Sequence, residues 1–347
     1  MSNSRLETFS DGVGAIERVA DESDFSGVVH LSRRGDPLLE RAWGLADRAH
    51  GIANTIDTQF GIASGVKGFT ALTVMSLVTD GSLRLDSSVR GILGDVLELI
   101  DSAVTVGHLL THTSGIGDYL DEEMLSDVDA YIMPVPVHQL ADTKDYLAVL
   151  RGHPMKFIPG ERFEYCNGGF VVLALVVEAI TGRGFHEVVA ERVFDPAGMT
   201  ATAFLRSDQL PGSAAIGYLQ DEDGWRTNQL HLPVRGSGDG GAYSTLGDVT
   251  TFWHALFSGS IVPPPVLEEM VRPRSDVPSE SKRYGLGFWL RADRDTVMLE
   301  GYDAGVSFRS AYDPTAELLY TVISNTSEGA WPIVKSLDEI LPRLAAP

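Results

Sequence analysis

Cysteine is nearly absent from this chain. The single thiol, Cys166, cannot close an internal disulfide, and alone it cannot build a cysteine-based zinc site. Positive charge is also scarce: 27 Lys and Arg stand against 48 Asp and Glu, a net charge of −21 at pH 7. A surface that acidic repels phosphate backbones and anionic lipid headgroups, which argues against a nucleic-acid partner and against membrane binding. Long apolar runs are missing too. The longest, residues 170–177 (FVVLALVV), falls far short of the roughly 20 residues a membrane span requires. The first residues, MSNSRLETFSDG, mix Arg5 with Glu7 and Asp11 around no apolar centre, so no signal peptide is expected and a cytoplasmic location is. The chain has no repeat, no low-complexity tract and no Gly-x-Ser-x-Gly, the strand-to-helix elbow of α/β-hydrolases.

What is present suits a globular enzyme. In 347 residues, 44% are hydrophobic and 22% charged, enough for one large domain or two lobes around a substantial core. Residues 25–47 read as a hairpin of two β-rich runs around Arg33-Arg34-Gly35-Asp36. Residues 284–325 repeat the β signature in YGLGFWLRA, TVMLEGY, GVSFRSAY and LLYTVISN, separated by turn-forming Asp, Gly and Pro. Between these ends lies a mainly helical middle. Apolar residues at 66, 69, 72, 75 and 78 predict a helix over 66–79 that stops at Asp80-Gly81, and the almost wholly apolar 170–181 predicts a buried helix stopping at Gly182. Further helices are expected before residue 22 and near 331–344. The expected architecture is α+β: 1–60 and 270–347 form one antiparallel sheet with terminal helices, and 61–269 form a helical lobe, the whole acting as one catalytic unit.

Two short motifs carry chemistry. Ser64-Gly65-Val66-Lys67 opens the first clear helix, so serine and lysine stand one turn apart on one face. A serine hydroxyl needs a nearby base to become a nucleophile, and a lysine in apolar surroundings gives up its proton more readily. Lysine is rare here, five residues against 22 Arg, so one on an apolar helix stands out. The spacing alone is weak, because Ser279-Glu280-Ser281-Lys282 matches equally well; that copy, in the polar stretch RSDVPSESKR, reads as a solvated loop. Tyr165-Cys166-Asn167 is the second motif. A phenol sharing a proton with Lys67 can activate Ser64 and protonate a leaving group, and the Asn167 amide can hold a substrate carbonyl or the lysine. Taken singly, a capping serine, a buried tyrosine and a capping asparagine explain these residues as well. Cys166 reads as a small buried filler.

Together the motifs resemble the serine β-lactamase and penicillin-binding-protein-like hydrolases, a superfamily with class C β-lactamases, family VIII carboxylesterases and D-aminopeptidases. FGIASGVKGFTAL is similar to the first motif with its flanks, GHLLTHTSGIGDY (107–119) to a His-Thr-Ser-Gly loop, and FIPGERFEYCNGGFVVLALVVEAITG (157–182) to the second motif and its helix. FDPAGMTATAF (194–204) and GDGGAYSTLGDVTTF (238–252) resemble two later segments, and the likeness runs from about residue 25 to 325. The resemblance implies a β-lactamase/transpeptidase-like fold and an acyl-enzyme on Ser64 with Lys67 and Tyr165 handling protons. It implies no cofactor and no metal, and a small ester, amide or D-aminoacyl peptide as substrate, with room for weak action on β-lactams.

The third motif, Lys-Ser/Thr-Gly or His-x-Gly, is missing. Its strand reads Glu300-Gly301-Tyr302-Asp303-Ala304-Gly305-Val306. One register sets Asp303-Ala304-Gly305 at the motif and makes the N–H of Val306 an oxyanion donor beside that of Ser64; another sets Tyr302 first. An ionised Asp303 repels anions, so neutral or cationic substrates are expected. The altered motif also leaves a second class open, a binding or scaffold protein that keeps the fold without useful turnover. His108 and His112 have the i, i+4 spacing of some zinc helices but lack the Glu of His-Glu-x-x-His, and are expected to be structural. The glycine cluster 236–241 lacks the Lys-Ser/Thr of a phosphate loop and is expected to be a flexible rim. No motif speaks to the oligomeric state.

Overall fold

The computed structural model describes residues 3–125, 127–222 and 224–344. An eight-stranded antiparallel sheet organises it. In chain order its strands are β1 (Gly27–Arg33), β2 (Asp36–Trp43), β3 (Ser275–Val277), β4 (Lys282–Tyr284), β5 (Trp289–Arg291), β6 (Val297–Asp303), β7 (Val306–Asp313) and β8 (Leu318–Ser324). Across the sheet they run β2-β1-β8-β7-β6-β5-β4-β3, so strands from the two ends of the chain meet in the register Gly27↔Ser324 to Arg33↔Leu318. The architecture is α+β, one large antiparallel sheet flanked by helices.

Both faces of the sheet are covered, which explains the unbroken apolar runs in its strands. Successive side chains point to opposite faces. Thus Val29, Leu31, Tyr320 and Val322 pack with Ile16 and Ala20 of α1 (Asn3–Glu22) and Ile333, Val334 and Leu337 of α5 (Ala330–Leu344). Val28, Leu319 and Ile323 face the opposite layer, built on α2 (Val66–Thr79), α3 (Asn167–Thr181) and α4 (Leu246–Phe257). Helix α2 lies between sheet and helices and is buried nearly all round, from Val66 to Met75 and at Leu77, not along a single stripe. Helix α3 begins at Asn167, three residues before the apolar run, and ends at Gly182 with a left-handed φ of 68°. Among the described residues no single helix is long and apolar enough to cross a membrane.

The middle of the chain holds some strand as well. Phe60–Gly61 pairs with Tyr243–Ser244, and Tyr218–Asp221 with Gly224–Thr227. The first pair, with the Ile62 N–H donating to the Ala242 carbonyl at 3.0 Å, ties the Ser64 turn to the glycine cluster.

A buried polar clasp locks the seam between β1 and β8. Ser26 Oγ donates to Asn325 Oδ1 at 2.7 Å, and Asn325 Nδ2 donates to the carbonyls of Leu45 (3.0 Å) and Ile216 (2.9 Å). Buried polar groups that lose their partner carry the full desolvation cost. Asn325→Ala is therefore expected to lower stability by about 3 kcal/mol, read from the midpoint shift in urea denaturation; a change within the scatter of surface substitutions would contradict this account of the seam.

Candidate active site

Ser64 lies on a single 3-10 turn, Ala63–Gly65, that leads into α2. Ala63 just before it has a φ of 43°, a left-handed conformation that costs a non-glycine residue about 1–2 kcal/mol and persists where the surroundings over-determine it. Lys67 is the first long side chain of α2 and only 2% exposed. Its ammonium has three acceptors for its three protons: Ser64 Oγ at 2.8 Å, Asn167 Oδ1 at 2.7 Å and the Asp239 carbonyl at 2.7 Å. Burial pulls its pKa below the ordinary lysine value, although the carboxylates of Asp239, Glu122, Asp118 and Asp303 act the other way.

The Tyr165-Cys166-Asn167 segment arrives from the other side. Helix α3 has no side-chain cap of its own; Asp118, from the loop after the His-Thr-Ser-Gly segment, accepts from the backbone N–H groups of Asn167 (2.5 Å), Gly168 (2.8 Å) and Leu120 (3.3 Å). The Asn167 amide then donates to the Leu120 carbonyl (3.0 Å) and Glu122 Oε1 (2.9 Å), which turns its oxygen toward Lys67. The half-buried Tyr165 ring lies 4.3 Å from the His112 ring, stacks on Trp289 at 5.9 Å, and has the Lys67 ammonium 4.9 Å above its centre. Burial pushes the phenol well above its ordinary pKa, helped by Glu122 and Tyr284 and opposed by a hydrogen bond with Ser64.

The histidines of the i, i+4 pair part company. His108 completes a capping box with Thr105. His112 is buried, accepts the Cys166 N–H at 3.0 Å, and touches the Tyr284 hydroxyl at 3.1 Å, so it fixes the segment carrying Tyr165. Cys166 is buried and its thiol is pushed up by that burial. The glycine cluster is not a flexible rim: residues 236–239 are buried, and a Cβ on Gly238 would stand 2.3 Å from the Phe170 carbonyl. That close approach lets the carbonyls of Gly238 and Asp239 reach Thr70 and Lys67.

Strand β6 forms the third wall. Gly301 presses on the serine turn, where a Cβ would come 2.1 Å from the Ile62 carbonyl. Asp303 pairs with Val306 across a two-residue turn, so odd-numbered residues of β6 bond to β7 while even-numbered ones face the opposite edge. The Arg291 N–H donating to the Thr296 carbonyl on that edge agrees. On β6, strand β5 pairs with Val297 and Met298 alone, leaving the edge beyond uncovered by it. The N–H of Tyr302 therefore points out beside Ser64, whereas the N–H of Val306 is turned into the hairpin and that of Gly305 donates to Ser327 Oγ at 2.8 Å. Gly305 and Val306 are not among the residues lining the two cavities that hold Ser64; Tyr302 lines both.

One cavity is a broad cleft of about 880 Å3, the other a narrow pocket of about 70 Å3. The pocket is lined by Tyr119, Tyr131, Tyr146 and Tyr243 together with Glu122, Asp239 and Asp303 and, among the described residues, by no lysine or arginine. Burial raises the Asp303 carboxyl to about 7; its bond from the Ala304 N–H opposes this, Asp239 and Glu122 reinforce it, and Lys67 opposes it. The cleft contains Lys282, so the second Ser-x-x-Lys is not a solvated loop: Lys282 lies on β4 with its ammonium 4.9 Å over Trp289 and ion-paired to Glu300. Sequence reading passed over Asp118, Glu122, Asp239, Lys282 and Glu300. A signal existed for two of them, since Asp239 is the one charge within the glycine cluster and Glu300 the one charge in VMLEGY.

A serine–lysine pair at the edge of an antiparallel sheet, with a tyrosine and an asparagine closing the other side, defines a serine-hydrolase type of centre. The β-lactamase family model matches residues 14–340, and the chain belongs to that family. It is similar to a D-aminopeptidase of Brucella anthropi, 34% identical over 227 residues that cover 64% of this chain and 41% of that protein. It is also similar to the esterase EstB of Burkholderia gladioli, 36% identical over 200 residues covering 55% and 49%. The chain thus matches less than half the length of either. Among solved structures, a penicillin-binding protein from Bacillus halodurans superposes with a TM-score of 0.87 at 37% identity, over 94% of this chain and 99% of that one.

The raised pKa of Asp303 links to stability. Its carboxyl is protonated in both folded and unfolded chains below about 4; from there to about 7 the unfolded chain gives up the proton that the buried group keeps, so the folded state loses stability as pH rises and the loss is complete once pH has passed through about 7. Asp303→Asn removes that titration, so its stability relative to the parent should increase from pH 4 to pH 8, measured by thermal or urea denaturation at each pH. A difference that stays flat would contradict the burial of this carboxyl.

Proposed function

We propose that the protein is a hydrolase that forms an acyl-enzyme on Ser64 and acts on esters or amides whose acyl group is neutral or cationic. The observation carrying this reading is the Lys67 ammonium, buried and bonded to Ser64 Oγ at 2.8 Å. When it sheds one proton, two N–H groups remain for the carbonyl oxygens of Asn167 and Asp239, and the lone pair faces the serine hydroxyl. Lys67 is then the general base. Carboxylates crowd the site and disfavour a phenolate, so Tyr165 acts as a neutral phenol that passes a proton on.

The steps follow. Ser64 Oγ attacks the carbonyl carbon as its proton moves to Lys67. The developing oxyanion takes hydrogen bonds from the N–H of Ser64, at the start of a helical turn, and of Tyr302 on the open edge of β6. The bond to the leaving alcohol or amine breaks as that group takes a proton from Tyr165, which Lys67 replenishes. Water, giving its proton to the same pair, then attacks the ester on Ser64; the acyl–oxygen bond breaks as Oγ takes that proton back, and the acid is released. The similarity to an esterase and to a D-aminopeptidase agrees with this substrate range. A tyrosine-lined pocket holding carboxylates and no lysine or arginine favours apolar and cationic groups over anions.

Two measurements test this. A fluorophosphonate probe should add the mass of one adduct to the protein and none to Ser64→Ala; an unlabelled parent, or equal labelling of the variant, would overturn the nucleophile. The second compares a p-nitrophenyl ester bearing a trimethylammonium acyl group with its uncharged tert-butyl isostere. The ratio of kcat/KM values should climb about tenfold in favour of the cation between pH 6 and pH 8 as Asp303 ionises, and should stay flat in Asp303→Asn. A climb that persists in the variant would assign the charge preference elsewhere.

A further inference from the structure

In the wall of the broad cleft, two cations share one carboxylate. Glu300 of β6 is ion-paired both to Lys282 of β4 and to Arg309, its direct cross-strand neighbour on β7. The three side chains are 11–12% exposed, and all three line the same cleft as Ser64. The outer partners are more open to water: Glu280, 2.8 Å from Lys282, is 48% exposed, and Asp338, which bridges Arg309 at 3.0 Å and Arg291 at 2.6 Å, is 32% exposed. Two desolvated cations converging on one point make an anion site. Here an anion belonging to the protein fills it, and both cations hold Glu300 below the usual carboxylate range against the burial that would raise it.

We propose that Glu300 is a specificity-determining residue that excludes carboxylate-bearing substrates, by occupying the anion site that Lys282 and Arg309 form in the wall of the cleft that also holds Ser64. The proposal rests on the reading of Ser64 as the nucleophile. With Glu300 present, a substrate carboxylate meets two cations already paired to the two oxygens of Glu300, Lys282 to Oε2 and Arg309 to Oε1. With Glu300 neutralised, the same two cations turn to the cleft.

The test uses the full chain and two phenyl acetates that differ by one charge, 4-acetoxybenzoate and its methyl ester. The parent should hydrolyse the methyl ester with the higher kcat/KM. In Glu300→Gln the ratio should move about tenfold toward the carboxylate, and Lys282→Met combined with it should undo most of that gain. Lys282→Met alone, which keeps Glu300 paired to Arg309, should deepen the discrimination, and it serves if Glu300→Gln does not fold. A ratio unchanged in Glu300→Gln, or in Lys282→Met where only that variant folds, would overturn the proposal. Failure of the parent to hydrolyse either ester would instead count against the nucleophile reading, so the two failures are distinguishable.

Discussion

A lysine ammonium with almost no access to water sets the terms for everything around it. Stripping a charge of its hydration costs several kcal/mol unless other groups replace the lost partners. Lys67 recovers them from three separate parts of the chain: the turn before its own helix, the first residue of α3, and the backbone of the glycine cluster. Each of those parts is held in turn by groups whose purpose is otherwise obscure. Asp118 caps α3 so that Asn167 points inward; Asn167 is oriented by Leu120 and Glu122; Tyr119 donates to the Asp239 side chain and steadies the loop. The site is therefore a consequence of satisfying one buried charge.

That charge also orders its neighbours electrostatically. Asp118, Glu122, Asp239 and Asp303 all lie near enough to influence Lys67, and all four are pushed up by burial. Four carboxyls around one ammonium cannot all ionise cheaply, and burial pushes each of them toward holding its proton. A reaction that needs a proton taken from a serine and returned to a leaving group is well served by surroundings of that kind.

Much of this was legible in the chain. The periodicity of residues 66–79 and the apolar run after Asn167 identify α2 and α3, because helices buried in a core must be apolar on most of their surface. The β-rich segments near both ends predict the sheet, since strands buried on both faces read as continuous Val, Leu and Ile. Ser64, Lys67, Tyr165 and Asn167 were legible as candidates because their spacing is local, and the structure brings them together. The register of β6 was not: which residue of Glu300-Gly301-Tyr302-Asp303 faces Ser64 depends on where the hairpin closes, at Asp303 and Val306, and a one-residue shift inverts every direction. Lys282 was dismissed because its partner, Glu300, lies 18 residues away on another strand. The glycine cluster looked mobile because small residues signal either freedom or close contact, and only packing against Phe170 decides which.

The seam between β1 and β8 has a consequence for how the molecule comes into being. The clasp from Ser26 to Asn325 joins residues 299 positions apart, and the strands it locks are the second and third of the eight across the sheet. As the chain is synthesised, the β1–β2 hairpin must wait, one edge unpaired, until nearly all the rest has been made. Sheet contacts of such long range close slowly, and an open apolar edge invites pairing with a second chain in the interval. The turn that carries Ser64 and the helix that begins at Asn167 are synthesised long before the strand that completes their cleft, so the cleft cannot close until β6 has been made.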